Sequence, residues 1–318
     1  MHSVERLQTP ILLVAVAIGV LAGQSSGVAS TADGLVLPAL LVTLFVTFLG
    51  VALGRVRDAL TRRRFLATAL GFNFLWTPLF AGALGAIFLR DHPDLWVGLV
   101  LLLVTPCTDW YLVFTDLADG DVPLATSLLP FNLLLQVALL PLYLAVLAGT
   151  VVAVPLGPLV ESVLFVLVVP LVGAVLARRA LVRYRGEAWT QRVTGRLGPV
   201  QVLALAAAVA AMFASQGEAL VERPEVVLLI AVPLLVFFAL TFLLGRLVVR
   251  LAGFDRAAGA TFTCTTLARN SPTALAVAVA AFPDRPLIAL ALVVGPLLEL
   301  PLLSLATRIL RALPDDTL

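Results

Sequence analysis

The residues of this 318-residue chain that could do chemistry gather in two short stretches, each inside an apolar run. Leu101–Thr115, LLLVTPCTDWYLVFT, carries Thr105, Pro106, Cys107, Thr108 and Asp109 in its middle. Ala268–Thr273, ARNSPT, carries Arg269, Asn270, Ser271 and Pro272. An ionisable side chain in hydrocarbon is costly and marks function by default, with its partner to be found. Asp109 and Arg269 are expected to pair. Arg stays protonated, so Asp109 would be the member that titrates or yields to substrate; the alternative is a permanent ion pair locking two helices together. Pro106 and Pro272 lack an N–H and break their helices. Broken helices expose ends whose N–H groups attract anions and whose C=O groups attract cations. Thr108, Asn270 and Ser271 add polar side chains at these points, unless the hydroxyls merely bond back to their own helix. The Cys107 thiolate would suit a soft ion, against the reading of a buried Cys as a small hydrophobe, which is the one expected for Cys264. Asn73, Asn132, Gln136 and Glu299 are the other polar groups deep in apolar runs. Asn132 and Gln136 are four residues apart and share a helix face.

The elements that must position these groups are membrane helices. The chain is 61% hydrophobic and 13% charged, with a mean hydropathy of +1.08, whereas soluble domains carry about a quarter charged residues. Ten candidate spans can be drawn at 9–24, 34–54, 65–89, 95–118, 122–148, 154–177, 197–217, 226–249, 257–282 and 286–310. The start of the chain is read as a first span and not as a signal peptide. A net charge of +2 gives no reason to expect a nucleic-acid partner. The only histidines are His2 and His92; no His-based dyad, metal-ligand set, Gly-rich phosphate loop or nucleotide motif is present. An enzyme, a resident metal, a cofactor and ATP-driven pumping are therefore not expected.

All basic residues are Arg, and they are unevenly placed. Arg6, the 55–64 and 178–196 connections, the 246–256 segment and the C-terminal end hold 17 of them. The opposite side holds Arg90, Arg223 and Arg285. This asymmetry predicts cytoplasmic termini and an even number of spans. The Arg-rich loops follow the second span of one half and the third span of the other, as an inverted pair of five-span repeats requires, with halves 1–153 and 154–318. The interrupted spans are then the fourth of each half. At 1.5 Å per residue, Asp109 and Arg269 lie roughly 14 and 18 Å from the cytoplasmic ends of their spans, close to the middle of a core about 30 Å thick.

Pro106-Cys107-Thr108, the turn Leu117–Asp121, Asn73 with Pro78, Asn132, and Val294-Gly295-Pro296 with Glu299 together resemble the bile-acid:sodium symporter superfamily, and within it the arsenical-resistance efflux permeases. The resemblance implies an all-α membrane transporter with a panel domain (spans 1, 2, 6 and 7) and a core domain in which broken helices 4 and 9 cross. It also implies a functional role for Cys107. The chain departs from both branches: Pro272 and Thr265 stand where they carry their ninth-span glutamates, and Leu112 stands where the sodium branch has an Asn. The expected activity is proton-coupled efflux of arsenite or a related metalloid or anion across a bacterial-type plasma membrane. Cys107, Thr108, Arg269, Asn270, Ser271, Asn73 and Asn132 would bind substrate; Asp109 and Glu299 would carry the coupling proton. The alternative is sodium-coupled transport of an organic anion held by Arg269, with an intramembrane hydrolase or receptor a remote third.

Overall fold

The computed structural model describes residues 2–24, 26–50, 61–108, 110–149, 156–222 and 224–313. Asp109, Arg55, Arg57, Arg223 and the boundary between the expected repeats lie outside the described residues. Regular structure among the described residues is helical, as hydrocarbon requires of a backbone that must satisfy its own hydrogen bonds. The helices are α1 (His2–Ala22), α2 (Ser26–Gly50), α3 (Arg63–Phe88), α4 (Pro93–Leu103), α5 (Trp110–Leu117), α6 (Val122–Ala148) and α7 (Leu159–Arg185). They continue with α8 (Glu187–Thr194), α9 (Gly198–Glu222), α10 (Pro224–Ala252), α11 (Arg256–Leu267), α12 (Ser271–Ala281) and α13 (Pro286–Ala312). Among the described residues six helical stretches are long and apolar enough to cross a membrane, and four shorter apolar helices accompany them. Large apolar side chains also cover the outside: Leu79, Ile87, Leu243 and Leu251 are 62–75% exposed. Apolar surface on that scale fits lipid and not water. The protein is an all-helical, multi-pass membrane protein.

Two units emerge from the contacts. The first comprises Met1–Val51, Pro155–Leu228 and Pro272–Val293. Here α2 packs against α9 and α7, and α9 packs against α1. A Cβ on Gly19 would stand 2.4 Å from the Ala210 carbonyl oxygen, so only glycine permits this approach of α1 to α9, the small-residue contact that membrane helices favour. Arg178 Nη1 donates to Leu49 O at 3.2 Å and its Nη2 to Glu187 Oε1, fastening α8 beside the end of α2. The Arg-rich connection 178–196 thus contains a helix.

The second unit comprises Ala52–Val154, Leu229–Ser271 and Val294–Leu318. Its core joins Phe65, Phe72, Leu124, Leu128, Val249 and Phe262. Two aspartates start helices here. Asp121 Oδ1 accepts from Leu124 N at 2.9 Å at the head of α6, and Asp255 Oδ1 accepts from Ala258 N at 2.8 Å at the head of α11, each satisfying an N–H that the helix cannot. The turn before α6 places Asp119 at φ 55°, a region Asp tolerates better than most residues. Asp121 N then donates to Thr261 Oγ1 at 2.8 Å and docks the turn on α11. Two apolar stretches leave the helix near their middle: residues 104–108 follow α4, and residues 268–270 lie between α11 and α12.

Candidate functional site

The two interruptions meet. Pro106 and Arg269 form an antiparallel bridge in which Cys107 N donates to Ala268 O at 3.0 Å and Asn270 N donates to Thr105 O at 2.8 Å. Pro106 has no N–H to give, so its neighbours make both bonds.

Each break leaves carbonyls at the end of the preceding helix without their usual donors. Their replacements can be followed one by one. In α4, Val104 N donates to Val100 O at 2.9 Å. The Thr105 hydroxyl lies 2.9 Å from Leu101 O and 3.0 Å from Leu102 O, the latter being the carbonyl a non-proline residue 106 would have served. Arg269 Nη1 donates to Leu103 O at 2.9 Å. In α11, Ala268 N donates to Cys264 O at 3.1 Å. Thr265 O receives Asn73 Nδ2 and Arg269 Nη2, each at 3.5 Å. Thr266 O receives Arg269 Nη2, and Leu267 O receives Arg269 Nε at 3.3 Å. One buried guanidinium therefore closes the C-terminal ends of two helices. The Phe237 ring lies over it, 5.4 Å from the guanidinium carbon.

The carboxylate described beside Arg269 is Glu299, and it meets the main chain: Glu299 Oε1 accepts from Arg269 N at 2.8 Å. Its position depends on Gly295, one turn earlier in α13, where a Cβ would stand 2.7 Å from Leu102 Cδ2. Glycine lets α13 approach α4 closely enough for Glu299 to reach the bridge. The expected partner, Asp109, is outside the described residues; the guanidinium's described partners are carbonyls and an amide.

That amide belongs to Asn73, whose Oδ1 accepts from Arg269 Nη2 at 3.3 Å. Asn73 lies in a π-helical turn, Phe72–Trp76, in the middle of α3, a feature frequent at functional sites. Pro78 accounts for part of this geometry, because it cannot donate to Phe74 O. The Tyr143 hydroxyl of α6 donates to Phe74 O instead, at 2.6 Å. Asn132 Nδ2 donates to Thr265 Oγ1 at 3.4 Å. On the other side of the bridge, Asn270 Nδ2 donates to Thr108 Oγ1 at 3.1 Å. Cys107 is buried and in no disulfide.

Hydrogen bonds thus link Asn73, Asn132, Thr108, Arg269, Asn270 and Glu299, and the bridge adds Cys107. Pro272 belongs to the other unit. Several buried polar atoms have no hydrogen-bond partner among the described residues: Asn132 Oδ1, Ser271 Oγ and both amide atoms of Gln136. Such atoms are costly unless something polar reaches them. Gln136 was visible in the sequence only as the i+4 neighbour of Asn132. Thr265 was noted in the sequence only as standing at a glutamate position of the resembled superfamily; its carbonyl and hydroxyl become part of the cluster because α11 ends close by. A cation, Arg269, is already supplied to both C-terminal helix ends, while α5 starts two residues after Thr108. Helix N-termini favour anions. Among the described residues no group of three His, Cys, Asp or Glu could hold a metal ion.

Comparison with known proteins agrees in kind with this geometry. The model of the Sodium Bile acid symporter family matches residues 37–223. The chain is 28% identical over 312 residues to the arsenical-resistance protein Acr3 of Corynebacterium glutamicum, a match covering 92% of this chain and 84% of that protein. It is 31% identical over 218 residues to an uncharacterized transporter of Synechocystis sp., covering 67% of this chain and 56% of that one. Over 147 residues it is 34% identical to the Acr3 protein of Alkaliphilus metalliredigens, covering 44% and 40% respectively.

Proposed function

The chain belongs to the Sodium Bile acid symporter family, and we propose that, as a transporter of that family and not an enzyme, it exports arsenite or a closely related metalloid anion at the expense of a proton gradient. The observation that carries this reading is the crossing of the two interrupted helices, with Cys107 on one strand of the bridge and Arg269 on the other. A thiolate there offers a soft ligand for trivalent arsenic. Thr108, Asn270, Ser271, Asn73 and Asn132 supply polar atoms around it, and the unpartnered Asn132 Oδ1 and Gln136 amide add unmet hydrogen-bonding capacity. The two Acr3 relatives support arsenite as the substrate class.

Glu299 is the described candidate for the coupling proton, with Asp109 as the second. Two helix C-termini contribute about half a negative charge each, which Arg269 offsets. An ionised Glu299 leaves the cluster near −1, and one proton brings it to neutrality. A buried group whose protonation neutralises its surroundings is suited to exchange a proton for cargo. Sodium-coupled carriage of an organic anion on Arg269 has less support, because all three guanidinium nitrogens already donate to protein oxygens.

In this reading the chain has ten spans in a 5+5 inverted repeat, halves 1–153 and 154–318, both termini cytoplasmic, in a bacterial-type plasma membrane. The broken helices are the fourth and ninth spans of the core; Pro106 lies within the first break, and Pro272 stands in the first turn of the helix that follows the second, residues 268–270. A host lacking its own arsenite exporters tests the reading. Expression should restore growth on arsenite and lower cellular arsenic, and Cys107→Ser should abolish both at equal protein level. Unchanged arsenic content in cells making the wild-type protein would refute it.

A further inference from the structure

We propose that Arg269 is a tethered cation that permanently fills the place where two converging helix C-termini would otherwise hold a free one, and that it thereby frees this transporter from sodium. The inference rests on the reading of the chain as a gradient-driven carrier and is independent of its cargo.

Two helix ends aimed at one point bring about one full negative charge between them. In carriers with discontinuous helices, half-helix C-termini and unwound carbonyls are where a coupling Na+ or H+ is coordinated. Here that coordination sphere is complete. Arg269 Nη1 holds Leu103 O at the end of α4, and Nε and Nη2 hold Leu267 O and Thr266 O at the end of α11. Asn73 Oδ1 adds a side-chain oxygen at 3.3 Å. With Thr265 O at 3.5 Å, five oxygens from three segments around one positive centre form a cation site in composition, with the ion replaced by a side chain of the same chain.

Geometry keeps it there. Arg269 is 3% exposed and lies in the residues of the break itself, with its own N–H held by Glu299 Oε1 at 2.8 Å. Phe237 covers the guanidinium face at 5.4 Å, a cation–π contact. Guanidinium stays protonated, so the site is not emptied by changes of pH or sodium concentration. A free sodium ion would have to displace a guanidinium bonded to two helices and would meet its charge.

The test uses the purified full-length protein in detergent, with stability as the readout, so that its failure is separate from failure of the arsenite reading. Thermal unfolding is followed in choline chloride and in sodium chloride at equal ionic strength. The wild-type midpoint should be the same in both. Arg269→Gln should unfold at a lower midpoint in choline, and the midpoint should rise saturably with sodium chloride or with millimolar guanidinium chloride. Arg269→Lys, which keeps a tethered charge, should remain insensitive to sodium. A wild-type midpoint that climbs saturably with sodium over choline would overturn the proposal even if Arg269→Gln failed to fold. So would an Arg269→Gln protein whose midpoint responded to neither cation.

Discussion

Replacing Tyr143 by Phe removes a single oxygen, and the structure says what that oxygen does. Pro78 leaves Phe74 O without its helical donor, and the Tyr143 hydroxyl supplies one at 2.6 Å across the gap between α6 and α3. The substitution keeps the ring and orphans a carbonyl in the turn that carries Asn73. Hydrogen bonds inside membrane proteins are worth about 0.6 kcal/mol on average and up to about 1.7, and an unsatisfied group costs about 1–3 kcal/mol. Tyr143→Phe should therefore destabilise the protein by about 1–2 kcal/mol, a factor of about 5–30 in the folded-to-unfolded ratio. Pro78→Ala supplies an N–H one turn after Phe74, able to take over the same carbonyl. In that background Tyr143→Phe should cost close to nothing. The assay is reversible unfolding in mixed micelles of the wild type, both single variants and the double variant, read as a double-mutant cycle. Additive costs would show that the hydroxyl and the missing proline N–H are unrelated, and the account of the π-helical turn would fall.

Further substitutions probe other parts of the account. Thr105→Val should orphan Leu101 O and Leu102 O and cost about 1–2 kcal/mol, while Thr105→Ser should not; unfolding midpoints distinguish them. Glu299→Gln keeps an oxygen for the Arg269 N–H but cannot deliver a proton. Its unfolding midpoint should stay near wild type while proton-driven flux disappears, and retained flux would remove Glu299 from the coupling role. Asp255→Ala should lower stability by about 1 kcal/mol through loss of the α11 cap, leaving the substrate concentration for half-maximal transport unchanged in a flux assay. Gly295→Ala should cost about 1–3 kcal/mol by overpacking against Leu102 and reduce flux by displacing Glu299.

Much of the membrane character and both helix breaks were legible in the chain, for simple reasons. Apolar runs of spanning length carry their own signal, and Pro106 and the Arg269–Pro272 stretch interrupt two of them with residues hydrocarbon does not tolerate unsupported. The partners of those residues were harder to read. Sequence patterning suggests that a buried arginine will seek a carboxylate, yet the described oxygens around Arg269 are mostly main-chain carbonyls, which every residue has and no composition reveals. They became acceptors only because two helices end at the same point. Glu299 was visible as a buried acid, whereas its use of the Arg269 N–H depends on Gly295 admitting α13 next to Leu102. Asn73 was visible as a polar residue near a proline; the π turn that carries it is joined by Tyr143, seventy residues later, whose hydroxyl donates to Phe74 O. The helix Glu187–Thr194 lies in a segment read from its arginines only as a connection between spans.

The central claim is that a thiol at the crossing of two broken helices carries a trivalent arsenic species out of the cell on a proton gradient. Everted membrane vesicles containing this protein test it most directly. Arsenite accumulation is measured under an imposed proton gradient, with sodium present and absent, for the wild type and for Cys107→Ser. Accumulation should be driven by the proton gradient, indifferent to sodium and lost in Cys107→Ser. Accumulation that required sodium, or that survived the loss of the thiol, would contradict it.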